Sequence, residues 1–207
     1  QGIANSSGQV GRHLTIHPAS YAWAQVDQEV RGWEAIPQGY SVDEFEDLGI
    51  RFEGGFLPLE MAAGAMGQIG ARWTHLVDHF DRLACFGFMI AETSRGRVSL
   101  VGGKPQMSYF LNDRDIRRIV QAQGILARIF FAGGAERVYP GMQLYEELLD
   151  LSDVERLERE GPGKGRAHHL DMSAYHPLGT CSMGPEARSS VIGPTQETWD
   201  VRGLFVC

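Results

Sequence analysis

The chain has 207 residues, 43% of them hydrophobic, with 19 Lys and Arg set against 26 Asp and Glu for a formal net charge of −7. That length supports one sizeable core, and an acidic balance without a basic tract argues against nucleic-acid partners and against an electrostatic hold on anionic membranes. Cys85, Cys181 and Cys207 are odd in number and widely spaced, which fits neither a disulfide framework nor a CxxC metal knuckle and is compatible with a reducing, cytoplasmic compartment.

Taken in chain order, residues 1 to about 18 form a glycine-rich loop closing on His17-Pro18. A strand follows over Ser20 to Val26, with Tyr21, Trp23 and Gln25 on the side opposite Ala22, Ala24 and Val26. Pro37, Gly39 and Gly49 mark loop. From Pro58 to about Arg82 the apolar residues Met61, Ala65, Ile69, Trp73, Leu76, Val77 and Phe80 recur every three to four positions. This predicts one long amphipathic helix with a core-facing stripe, weakened in the middle by Gly64, Gly67 and Gly70.

Ala84 to Glu92 and Arg97 to Val101 flank Thr93-Ser94-Arg95-Gly96 and read as a hairpin, to which Gln106 to Phe110 adds a third strand. Asn112 or Asp113 caps a second helix whose stripe contains Ile116, Ile119, Val120, Leu126, Ile129 and Phe130, and Gly133-Gly134 stops it. Ala135 to Tyr139 is a predicted strand and Tyr145 to Leu149 a short helix. Ser152-Asp153-Val154-Glu155 has capping-box spacing for a further helix ending at Gly161-Pro162-Gly163. Strands separated by helices of unequal length predict an α+β fold, a largely antiparallel sheet covered on one face by helices. The apolar runs Met61 to Ala71 and Leu83 to Ala91 fall short of the roughly 18 residues that cross a bilayer, so no transmembrane segment is expected.

The run Tyr175-His176-Pro177-Leu178-Gly179-Thr180-Cys181-Ser182-Met183-Gly184 carries the chemistry. Pro177 fixes its own φ and pushes His176 toward an extended conformation, while Gly179 and Gly184 permit turns or close approach of the backbone. An imidazole held in such a loop takes and returns a proton near neutral pH. His168, His169, Asp171, His176 and Cys181 also stand close enough in sequence to raise a metal-dependent hydrolase, but their spacing matches no zinc pattern. Gly161-Pro162-Gly163-Lys164-Gly165 lacks the GxxxxGK[ST] spacing of a phosphate loop.

The same run resembles the His-Pro-x-Gly-Thr-Cys-x-Met-Gly segment near the C-terminus of glucose-methanol-choline oxidoreductases, FAD-dependent enzymes that oxidise alcohols. Gly2 to Arg12, Glu53-Gly54-Gly55, Gly96-Arg97-Val98 and Gly133 to Val138 are similar to family segments in the same order. The resemblance implies the family's substrate domain, with His176 as the base while hydride passes from the alcohol carbon to flavin N5. It implies that Pro177, Gly179 and Thr180 lie against the FAD.

On this frame residues 1–18 are the tail of a flavin-binding domain, 19–170 the substrate-binding domain, and 171–207 the active-site segment returning toward the flavin domain. Both ends look cut, and the second catalytic His or Asn would lie beyond Cys207. No GxGxxG run follows a strand, so the chain alone is expected to bind FAD poorly and to need the missing flavin-binding domain or a partner chain. The Tyr109-Phe110-Leu111 and Asp115 arrangement is closer to the branch acting on lipophilic alcohols. A binding module or split-gene subunit is the alternative.

Overall fold

The structure, a computed structural model, describes residues 3–163 and 165–207. Gln1 and Gly2 of the opening loop and Lys164 of the Gly161–Gly165 run lie outside the described residues. Helices and antiparallel sheets combine in an α+β fold, divided into two compact units, each assembled from separate stretches of chain.

The larger unit, Pro18–Glu92 with Asn112–Ser173, is built on a five-stranded antiparallel sheet. Its strands are β2 (Ala19–Gln25), β3 (Ser41–Val42), β4 (Ile50–Gly54), β5 (Leu83–Ile90) and β8 (Arg137–Pro140), ordered β3-β4-β5-β2-β8. The alternation read along Ser20 to Val26 is observed in β2, and register sorts its neighbours onto the same two faces: Ala22 lies opposite Phe86, and Trp23 opposite Cys85 and Tyr139. On the Ala22 face runs α3 (Asp113–Ala132), whose Gln123 amide donates to the Ser20 hydroxyl at 3.0 Å. Ile116, Ile119 and Leu126 of α3 are buried, as are Ile50, Phe52, Phe88 and Ile90 of the sheet. A fourth helix, α4 (Leu151–Glu160), packs on α3, and Arg128 pairs with both carboxylate oxygens of Glu158.

The opposite face of the sheet is also covered. Trp23, Leu83 and Tyr139 form a core with Ala62 and Met66 from around α1 (Leu59–Ala65) and Leu76 from α2 (Gly70–Asp78), together with Phe56 and Phe80. Helices on both faces correct the one-face expectation, because both sides of β2 carry residues that need burial. Two helices here replace the single predicted helix. Gly67 (φ +67°) and Gly70 (φ +64°) adopt left-handed backbone that an α-helix cannot contain, and they separate two short amphipathic pieces. With the helical phase broken, most of the predicted stripe misses the core: Met61 is 59% and Ile69 88% exposed, and Trp73 sits at the edge with its indole N–H donating to the Ala63 carbonyl.

The smaller unit, Gln1–His17 with Thr93–Leu111 and Ala174–Cys207, carries a three-stranded antiparallel sheet in the order β1-β6-β7. These strands are β1 (Arg12–Leu14), β6 (Gly96–Val101) and β7 (Lys104–Ser108). The predicted hairpin of Ala84–Glu92 with Arg97–Val101 is therefore absent, since β5 pairs with β2 and β4 while β6 pairs with β7. The real turn is Gly102-Gly103, both at positive φ (+57° and +78°), the backbone a two-residue hairpin of type I′ demands.

Other local expectations also shift. β1 and β3 lie in stretches read as loop and β4 in one given no element, although Ile50 and Phe52 alternate with Arg51 and Glu53 as a half-buried strand should. Tyr145 to Leu149 is irregular, because Leu148 forms an antiparallel bridge to Val138. The cap of α4 is Asp150, whose carboxylate accepts from the N–H groups of Ser152 and Asp153.

Candidate active site

His176 sits in the smaller unit, exposed, on a turn whose far side is fastened to the opening stretch of the chain. Thr15 and Leu178 exchange both main-chain hydrogen bonds, at 3.0 and 2.9 Å, and the Gly11 N–H donates to the Thr180 carbonyl at 2.8 Å. Gly179 makes this close approach possible. Its φ is +90°, and a Cβ there would lie 2.3 Å from the His13 carbonyl oxygen. Gly11 plays the same part on the other side, where φ is +80° and a Cβ would lie 2.1 Å from the Val98 carbonyl oxygen. The Gly11 carbonyl in turn accepts from the Val98 N–H, so the turn is tied through residues 11–15 to β6.

Counting back from the Thr15–Leu178 pair places His17 opposite His176, and the two imidazole centroids are 5.9 Å apart with an interplanar angle of 54°. His17 is half-buried, with a left-handed φ of +48°. This second ring lies outside the His176 motif. A signal was present, since His17-Pro18 repeats the His-Pro pair of His176-Pro177.

Pro177 follows His176 in the exposed turn, and Gly179 and Thr180 are half-buried. Among the described residues the main-chain N–H groups of Gly179 and Thr180 and the Thr180 hydroxyl make no hydrogen bond. Around them Tyr175, Leu178 and Met183 expose apolar surface, as do Leu204 and Phe205 farther along the same unit. Cys181 is half-buried in the turn and unpaired.

His168 and His169 belong to the larger unit, in a 3₁₀ turn (Ala167–His169) with their rings 4.1 Å apart. Among the described residues no three of His, Cys, Asp or Glu come together as a metal site requires. Asp171 instead lines a cleft of about 200 Å³ in the larger unit, with Tyr21, Met66, Arg72, Tyr139 and Met142. Arg72 there is paired with Glu146 and Glu147. Cys85, packed beside the Trp23 core, has its thiol pushed up to about 12 by burial, which removes it as a nucleophile. No helix among the described residues is long and apolar enough to cross a membrane.

Comparison with known proteins agrees with the motif. A family model described as GMC oxidoreductase matches residues 92–207, more than half of the chain and the whole His176 turn. Relatives named as uncharacterized GMC-type oxidoreductases of two Mycobacterium tuberculosis strains are 30% identical over 202 residues, covering 96% of this chain and 31% of each relative. A long-chain-alcohol oxidase of Arabidopsis thaliana is 25% identical over 230 residues, covering 99% of this chain and 30% of its own. The chain thus spans just under a third of the length of these curated relatives. A family-specific turn, kept in register by close backbone approach, and a model match across the same residues place this chain among the GMC oxidoreductases.

Proposed function

We propose that the chain supplies the substrate side of an FAD-dependent alcohol oxidoreductase, with His176 taking the hydroxyl proton. The observation that carries this reading is the exposed imidazole of His176 on a turn clamped to residues 11–15 through Gly179. A base must be presented to its substrate and held in place, and this arrangement does both. FAD, when bound, supplies the acceptor for the hydride that leaves the alcohol carbon. His176 accepts the hydroxyl proton on a ring nitrogen as the C–O double bond forms, so the alcohol becomes an aldehyde or ketone.

The turn suits a flavin. Pro177 and Leu178 offer apolar contact, and the free N–H groups of Gly179 and Thr180 are donors for the ring's polar edge. The chain has no GxGxxG segment to hold the ADP portion. The isolated chain is therefore expected to bind FAD weakly and to be inactive until joined to a flavin-binding domain, in the same polypeptide or in a partner. Exposed Tyr175, Leu178, Met183, Leu204 and Phe205 support such a neighbour. For the substrate we propose a lipophilic primary or secondary alcohol, supported by the relative named as a long-chain-alcohol oxidase.

Anaerobic stopped-flow reduction in the FAD-loaded enzyme tests the base. His176→Ala should slow flavin reduction by about 10²- to 10⁴-fold at near-normal FAD content, while His168→Ala and His169→Ala cost far less. Reduction at the wild-type rate in His176→Ala would remove the assignment.

A further inference from the structure

We infer that the face of the β1-β6-β7 sheet bearing Arg12 and Arg97 binds a phosphate or pyrophosphate group, free or carried by a nucleotide. Charge singles out this unit. The chain as a whole has a net charge of −7, yet the smaller unit has six Arg and Lys against three Asp and Glu. Its stretches 1–17 and 93–111, which supply all three strands, contain Arg12, Arg95, Arg97 and Lys104 and no acidic residue. The three acids of the unit are engaged elsewhere: Glu186 pairs with Arg188, Glu197 accepts from the Gly203 N–H, and Asp200 accepts from Ser6.

Register then concentrates the charge. Arg12 of β1 lies directly opposite Arg97 of β6, and Arg97 directly opposite Ser108 of β7. Residues so paired share one face of the sheet with Cβ atoms about 5 Å apart, so two guanidinium groups and a hydroxyl stand in one row across three strands. Ser99 and Gln106 form the next row of that face, and Lys104 belongs to the row after. Arg12, Arg97 and Ser108 are exposed, whereas Leu14, which pairs with Gly96 on the other face, is buried. Like charges directly opposite destabilise an antiparallel pair, and among the described residues neither arginine has a carboxylate to offset this. In the larger unit, by contrast, Arg51, Arg72, Arg128 and Arg137 each pair with a glutamate. An anion held between the two guanidinium groups turns the repulsion into attraction. One planar fork already satisfies a carboxylate, so two forks and a hydroxyl suit an anion with three or more terminal oxygens and two negative charges, which is a phosphate.

The test uses the 207-residue chain with sodium pyrophosphate as the probe, and sodium chloride or sodium acetate at equal ionic strength as controls. Pyrophosphate at ten times its Kd should raise Tm by about 3–6 °C, and the controls should raise it far less. Arg12→Gln and Arg97→Gln should each weaken pyrophosphate binding by about 10-fold or more in calorimetric titration. Without the anion both should melt no lower than wild type, because the repulsion is gone. Arg202→Gln removes the same charge elsewhere in the unit and should bind like wild type. No binding of pyrophosphate, a Tm rise matched by sodium chloride, or equal losses in Arg202→Gln and Arg97→Gln would leave only diffuse attraction to a basic unit and overturn the site. FAD and riboflavin, followed by flavin fluorescence, identify the source of the phosphate. If Arg97→Gln weakens FAD about 10-fold and leaves riboflavin unchanged, the row holds the phosphates of a nucleotide; if pyrophosphate binding is lost and both flavins are unchanged, it holds a free phosphate.

Discussion

Gly179→Ala tests whether the His176 turn depends on close backbone contact. The new methyl would lie 2.3 Å from the His13 carbonyl oxygen, a backbone atom, at a φ of +90°. Left-handed backbone costs an L-residue about 1–2 kcal/mol, and relieving an overlap of that depth adds about 1–2 kcal/mol in a packed setting. The sum, about 2–4 kcal/mol, corresponds to a fall in Tm of roughly 4–16 °C for a chain of this length. Gly203→Ala serves as the control, because Gly203 shares the positive φ (+79°) and the same unit but has nothing within 4 Å of the added Cβ. It should lose only the conformational part. Thermal unfolding followed by circular dichroism reads both, and nuclear Overhauser cross-peaks between the ring protons of His17 and His176 report whether the two segments remain zipped. A Gly179→Ala chain that melts no lower than Gly203→Ala and keeps those cross-peaks would refute the contact and the route by which His176 is held.

Two further outcomes follow from local chemistry. Asp150→Ala should lower the urea midpoint measurably by removing the cap of α4, whereas Ser152→Ala should shift it much less; the two variants distinguish the caps. In the smaller unit the hydroxyl and N–H of Ser6 hold the Asp200 carboxyl below its ordinary range. A depressed folded value means that its contribution is complete above the ordinary aspartate range and is lost as pH falls through the folded value. Asp200→Asn should therefore be less stable than wild type near pH 6, with the gap narrowing as pH falls below the ordinary aspartate range, as urea midpoints across that range will show.

The sequence alone determined the features whose cause is local. Asn112 before a three-to-four repeat ended by Gly133-Gly134 predicts α3, and the structure has that helix at Asp113–Ala132 with the Asn112 cap. The two alternating sets of β2 are equally legible, since successive side chains of a strand point to opposite faces. The His176 motif named the family because its fixed residues all fall between His176 and Gly184. Partner choice belonged to the tertiary structure. β5 and β6 are neighbours in sequence, yet they join different sheets, because pairing is decided by which apolar faces are buried together. The Met61–Phe80 repeat continued past Gly67 and Gly70 on paper, while the folded chain turned there and left Met61 and Ile69 outside. His17 lies 159 positions from His176, and the Thr15–Leu178 pair and the Gly11–Thr180 hydrogen bond, with a glycine at 179 allowing the close approach, join the segments whose rings stand 5.9 Å apart. Proximity across that separation is a property of the ladder, which no local pattern of residues encodes.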